Sequence, residues 1–369
     1  MRRRDHLPTI LVFLGFVFGI ALVNLLNGTR EVSVLERRDL AQFPPFTIGS
    51  VLDGDFSRGF GVYLQDQAAF RDEIRFVKSF VERRLFRKPG NNGVYVVLPR
   101  VYDMFYGIRD SLIAAAAGRM NEIAASIEGP EVYLSVIPTK ASALDGARYL
   151  LSDQGEIARV LAGTVDADYI DLMGLAVEGD GSFYYGADPH WDTEGAVRAY
   201  EILAEGMGLD PILGFEFEVA AEDFIGSEYG RAAAWGVPKD TIVVARNPLI
   251  DGLAFCRFRT LEADDCYESV YLEPTPEMVD LYDIFLGGLS PLIVITNEQA
   301  PAGEELVIFK DSYAHAIAPF LAQHYRKVSL VDLRYVQRQW VLENVDFEGA
   351  TTLFLYSTSV LNTDPRALN

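Results

Sequence analysis

Cysteine and histidine are scarce in this 369-residue chain, with two of the first and four of the second. That scarcity excludes the clustered Cys and His ligands of structural zinc or iron–sulfur centres. Positive charge is short as well. The 32 Lys and Arg face 53 Asp and Glu, a formal net charge of -21, which argues against nucleic-acid binding because affinity for a phosphate backbone depends on clustered basic side chains. No repeat period and no low-complexity tract is present. What remains is 50% hydrophobic and 23% charged, the composition of a folded chain with room for one large domain or two smaller ones. Cys256 and Cys266 are near enough to close a short disulfide loop in an oxidising compartment, with two unpaired thiols as the alternative.

One long apolar run stands at the N-terminus. Arg2, Arg3 and Arg4 precede Leu7 to Leu26, enough residues at 1.5 Å each to cross a hydrocarbon core, and positive charge before the run favours a cytoplasmic N-terminus. The run lacks the small-x-small ending of a signal peptide, so residues 1–28 read as an uncleaved single-pass membrane anchor, with a cleaved signal as the competing reading. Residues 29–55, holding Glu36, Arg37, Arg38, Asp39, Pro44 and Pro45, read as a linker. The folded region is expected over 56–369.

Within it, Phe60, Tyr63, Leu64, Phe70, Ile74, Val77, Val81 and Leu85 recur at helical spacing and predict a helical preamble over 56–90 with a core-facing stripe. Strands and helices then alternate. Expected strands at 94–98, 132–137 and 169–172 interleave with helices at 111–127, 154–162 and 193–207, and the rhythm returns with strands at 305–309, 327–331 and 351–356 around helices at 313–324 and 336–342. That order implies parallel βαβ units in an α/β fold. Between them, 209–300 is broken by Gly, Pro and acidic residues and reads as a looser insertion.

Chemistry gathers at two places. In the first, Asp188 and His190 flank Pro189 just before a helix, where the carboxylate can fix the tautomer of the imidazole and stabilise its protonated form. The same pair could be one arm of a metal site, but the sequence offers no second and third ligand, so no metal and no organic cofactor is expected. In the second, Val307 to Phe309 is a strand that runs through Lys310 and Asp311 to Ser312 and a helix. A serine there is exposed at the carboxyl edge of a sheet, with a helix N-terminus aimed at any oxyanion formed. Taken alone, Ser312 reads as a helix N-cap serine.

The combination decides between these. Tyr184 to Gly195 resembles the signature of the DHHW protein family, and Lys310 to Phe320 with Val331 to Tyr335 resembles its second signature. The likeness extends to Asp66, Phe70 and Arg71, to the entry at Asn92, Gly93 and Val94, and to the turn at Pro138, Thr139 and Lys140. That family is similar to the alginate O-acetylation proteins AlgX and AlgJ, which implies a circularly permuted SGNH-hydrolase-like fold, its parallel sheet flanked by helices. The resemblance makes Ser312 a nucleophile, His190 its base and Asp188 the group orienting His190. It implies an extracytoplasmic serine esterase or O-acetyltransferase acting on a cell-envelope or secreted polysaccharide, with an acyl donor as second substrate and a membrane-bound O-acyltransferase as possible partner. Pro189 replaces the first histidine of the family name, and Gly186 and Ala187 replace the usual Arg and Thr. Substrate contacts are therefore sought at Trp191, Tyr313, Tyr185, Lys140, Tyr229 and Arg231. An inactive envelope scaffold or carbohydrate-binding protein on the same fold is the alternative, and it predicts Ser312 and His190 beyond hydrogen-bond reach of each other.

Overall fold

The computed structural model describes residues 6–127, 131–258, 263–300 and 303–368; the Arg2–Arg4 cluster lies outside them. The apolar run forms one helix, Leu7–Leu26, with no buried residue. It is long and apolar enough to cross a membrane. A small hairpin follows, β1 (Val32–Ser33) and β2 (Arg38–Asp39), and then helices Asp55–Asp66 and Arg71–Arg84. A three-stranded antiparallel sheet comes next, β3 (Gly90–Asn91), β4 (Val94–Val97) and β5 (Arg100–Asp103).

The large sheet begins at β6 (Val132–Ile137) and β7 (Asp168–Asp171). The chain leaves it for a hairpin, β8 (Glu216–Phe224) with β9 (Asp240–Arg246), and returns with β10 (Ala254–Phe258), β11 (Ala263–Tyr267) and β12 (Leu292–Thr296). It closes with β13 (Glu305–Lys310), β14 (Lys327–Val331) and β15 (Thr351–Ser357). Among the described residues eight strands form this sheet, in the order β11-β10-β12-β14-β13-β15-β6-β7. β14, β13, β15, β6 and β7 are parallel, whereas β12, β10 and β11 are antiparallel. The sheet is mixed and mostly parallel.

The central strands are apolar throughout because both their faces are covered. Along β13, Leu306 and Ile308 pack on one side of the sheet with helices Thr193–Gly206 and Ala314–Leu321, while Val307 and Phe309 pack on the other with helices Asp110–Ala124 and Gly155–Thr164. The strand period of two thus divides one continuous run between two cores.

Three expectations are corrected. The strand at 94–98 belongs to the small antiparallel sheet, because its partners β3 and β5 are sequence neighbours and local hairpins satisfy it. The segment 209–300 contributes three strands to the main sheet, and its irregular look came from strands only five residues long. Most of the apolar stripe of the preamble is exposed, Phe70 at 63%, Ile74 at 60% and Leu85 at 71%, since the helix Arg71–Arg84 turns Arg71, Arg75 and Ser79 inward instead. Cys256 and Cys266 face each other across β10 and β11 and are joined as a disulfide.

Candidate active site

The Ser312 turn is built by its neighbours. β13 ends at Lys310, and the Asp311 carboxylate accepts the Tyr313 N–H at 3.1 Å and the Ser357 N–H at 2.7 Å, which ties the turn to the end of β15. Behind it lies a buried polar cluster: Lys310 Nζ is 2.6 Å from His315 Nε2 and 3.5 Å from Asp332, whose other contacts are to Arg334. Burial and then the Lys310 charge push the His315 imidazole well below its usual range, which keeps Nε2 free to accept. Ala314 and His315 return their N–H groups to the carbonyls of Asp311 and Ser312. The Ser312 N–H is left without a partner among the described residues.

The Asp-x-His loop is a tight hairpin in its own right. Tyr184 pairs with Trp191, and the Tyr185 N–H donates to the His190 carbonyl at 3.1 Å. Asp240 accepts the N–H groups of Gly186 and Ala187. Lys140, fully buried, donates to the carbonyls of Tyr185 at 2.9 Å and Asp188 at 2.7 Å and lies 2.6 Å from the Glu228 carboxylate, off the hydrogen-bond direction. Lys140 holds the loop in place.

These two constructions, 122 residues apart in sequence, bring three side chains into line. His190 Nε2 lies 2.8 Å from Ser312 Oγ, and His190 Nδ1 lies 2.6 Å from Asp188 Oδ1. With Nδ1 protonated and donating to the carboxylate, Nε2 accepts the serine hydroxyl. Asp188 is fully buried; its Oδ2 accepts the Ser227 N–H at 2.9 Å and a guanidinium N–H of Arg37 at 2.6 Å. Burial by itself would raise the Asp188 carboxyl, but His190, Arg37 and the Ser227 amide outweigh it and hold the group well below the usual carboxylate range. Gly226 makes the Ser227 contact possible, since a Cβ there would lie 2.2 Å from the Ala187 carbonyl oxygen and 2.5 Å from Asp188 Cβ. Ser312 is half-buried and remains reachable.

The expected substrate contacts divide. Tyr313 packs beside the His190 ring, with centroids 4.9 Å apart, but it is buried and its hydroxyl is given to the Pro189 carbonyl. Trp191 and Tyr185 are buried, Trp191 donating Nε1 to the Tyr313 carbonyl, and neither offers a face on which a sugar could stack. Tyr229 is half-buried against Phe76, and Arg231 reaches the Gly93 carbonyl, so both brace the small sheet. Sequence reasoning missed Tyr282, which stacks on the His190 ring at 3.9 Å and 11°. It also missed Arg37. Tyr282 sits in a short turn of the irregular segment and Arg37 in a polar stretch, and neither setting carries a local signal.

The arrangement lies on a fold seen in other proteins. The chain shares the fold of a DHHW family protein. That protein, from Eubacterium siraeum, superposes with a TM-score of 0.61 at 21% identity over 74% of this chain and 93% of its own. Bacillus cereus PatB1, in a structure with a sulfonyl adduct, superposes at 0.56 with 18% identity over 75% of this chain and 99% of its own. The O-acetyltransferase domain of Pseudomonas putida AlgJ aligns at 0.46 with 13% identity over 75% and 94%. No family model and no curated protein matches the sequence. The resemblance drawn from the DHHW signatures thus holds at the level of a shared α/β fold.

Proposed function

We propose that this chain is a serine O-acyltransferase or esterase acting on a cell-envelope or secreted polysaccharide from outside the cytoplasm, held to the membrane by its N-terminal helix. The observation that carries the reading is the unbroken line from Ser312 Oγ through His190 to Asp188, at 2.8 and 2.6 Å. A scaffold that kept the fold without turnover would be under no constraint to hold that line. The apolar helix and the Cys256–Cys266 disulfide support an extracytoplasmic domain. The order of the chain, Asp188 and His190 before Ser312, fits a circularly permuted SGNH arrangement.

In this mechanism Ser312 Oγ attacks the acyl carbonyl of the donor as its proton passes to His190 Nε2, and the imidazolium is stabilised by Asp188. The tetrahedral oxyanion is met by the Ser312 N–H and by the positive end of the helix Ala314–Leu321. The Tyr313 N–H, already given to Asp311, takes no part. Collapse breaks the bond to the leaving group, which takes the proton from His190, and leaves an acyl-serine. A sugar hydroxyl then gives its proton to His190 as it attacks, and collapse breaks the acyl–Oγ bond while His190 returns that proton to Ser312 Oγ; water in place of the sugar gives hydrolysis. Acetyl is the acyl group implied by the family resemblance, and PatB1 with its sulfonyl adduct suggests a second probe of the serine.

The test is hydrolysis of a small acetyl ester by the full-length protein in detergent, beside Ser312→Ala and His190→Ala. Both substitutions are expected to lower kcat/KM by about 10³-fold or more. Parent activity that survives in both would sink the assignment.

A further inference from the structure

Arg37 approaches the site from the hairpin that follows the apolar helix. Its side chain is 7% exposed, and besides the 2.6 Å bond to Asp188 it forms an ion pair with Asp280. Asp280 caps the turn Leu281–Ile284, accepting the Tyr282 N–H at 2.8 Å, and that turn lays Tyr282 on the His190 ring. One guanidinium therefore joins the carboxylate below the imidazole to the turn that covers its face. The hairpin is fixed to the helices behind it: Glu36 pairs with Arg71 and Arg75, and Arg38 with Asp66. It also packs closely on the short helix Ser227–Ala232, whose Ser227 N–H meets Asp188, since a Cβ on Gly230 would lie 2.0 Å from the Leu35 carbonyl oxygen. Arg37 itself has φ 53°, a left-handed backbone rare outside glycine, which only a well-determined setting maintains.

We propose that Arg37 is a positioning residue: docking of the hairpin delivers its guanidinium to Asp188 and Asp280, and this sets His190 for Ser312. The proposal rests on reading Ser312 and His190 as nucleophile and base. The charged and titratable groups facing His190 are Asp188 on its own loop, Tyr282 and Asp283 from the turn, and Tyr313 and His315 from the helix start. Asp188 in turn faces Arg37 and Glu228. Arg37 is thus the cation that tempers the field of Asp188 on the imidazole. Without it the imidazolium is stabilised more strongly, and with one fewer carboxylate, less.

The experiment compares the full-length parent with Arg37→Gln, Arg37→Lys and Asp280→Asn in two ways. The first is the rate at which a small sulfonyl fluoride modifies Ser312 as a function of pH. Arg37→Gln is expected to react about tenfold more slowly, with its acid limb raised by about one pH unit. Arg37→Lys should restore the limb but not the full rate, since an ammonium cannot bridge two carboxylates as a guanidinium does. Asp280→Asn should move the limb the other way. The second is NMR titration of the His190 imidazole, assigned with His190→Gln, which needs no reactivity at Ser312. A midpoint displaced upward in Arg37→Gln and downward in Asp280→Asn supports the proposal even if the parent serine proves inert, a result that would sink the function alone. Midpoints unchanged in folded variants overturn it, and if Arg37→Gln does not fold, Asp280→Asn decides by the same criterion.

Discussion

Gly226 shows how little room the residue scale leaves. Its missing side chain lets the Ser227 amide reach Asp188, and a methyl group there must displace either the Ala187 carbonyl or Asp188 itself. Gly226→Ala is expected to cost about 1–3 kcal/mol of stability, as overpacking does, and to lower esterase kcat/KM by about tenfold or more, measured by chemical denaturation and by steady-state kinetics. Glu228 carries a second prediction. Burial raises its carboxyl from 4.5 to about 7, Lys140 only partly opposing this. The folded protein therefore holds that proton more tightly than the unfolded chain does, and the resulting stability is full below pH 4.5 and lost as pH rises through about 7. Unfolding free energy should decline across that window, and Glu228→Gln should flatten the decline. Asp192, raised by burial to about 6, acts in the same sense and will leave some slope.

Elements differ in how legible they were. The strands 132–137 and 305–309 and the helix over 193–207 announce themselves because a βαβ unit imposes its period on a single stretch of chain. The same local logic picked out Asp188 and His190 in the loop before a helix, and Ser312 at the end of a strand. It failed where a partner distant in sequence decides the outcome. Residues 36–39 look like linker, yet Arg37 meets Asp188 across 151 residues. Ile74 and Val77 of the Arg71–Arg84 helix look like core and are left exposed. The sequence left open whether Cys256 and Cys266 are joined, and the structure joins them as a disulfide, 10 residues apart. A loop of that length contributes about 3 kcal/mol in the chain-entropy account. Replacing both cysteines by serine is expected to lower the unfolding free energy by up to about that amount, read by chemical denaturation, while kcat/KM for the ester stays near the parent value because β10 and β11 end the sheet away from β13.

At the scale of the whole molecule, the sheet is assembled out of chain order. β6 and β7 come early, yet among the described residues their only link to the rest of the sheet is β15, which lies between β6 and β13. During synthesis β6 thus waits about 200 residues, its edge unpaired, for the strand that joins it to the half carrying Ser312. Strands β10 to β14 can pair among themselves before β15 exists, but until then they stay cut off from β6 and β7. The chain passes through biogenesis with an open β edge that invites wrong pairing or calls for a chaperone, and the two halves of its sheet are joined only when the last strand arrives.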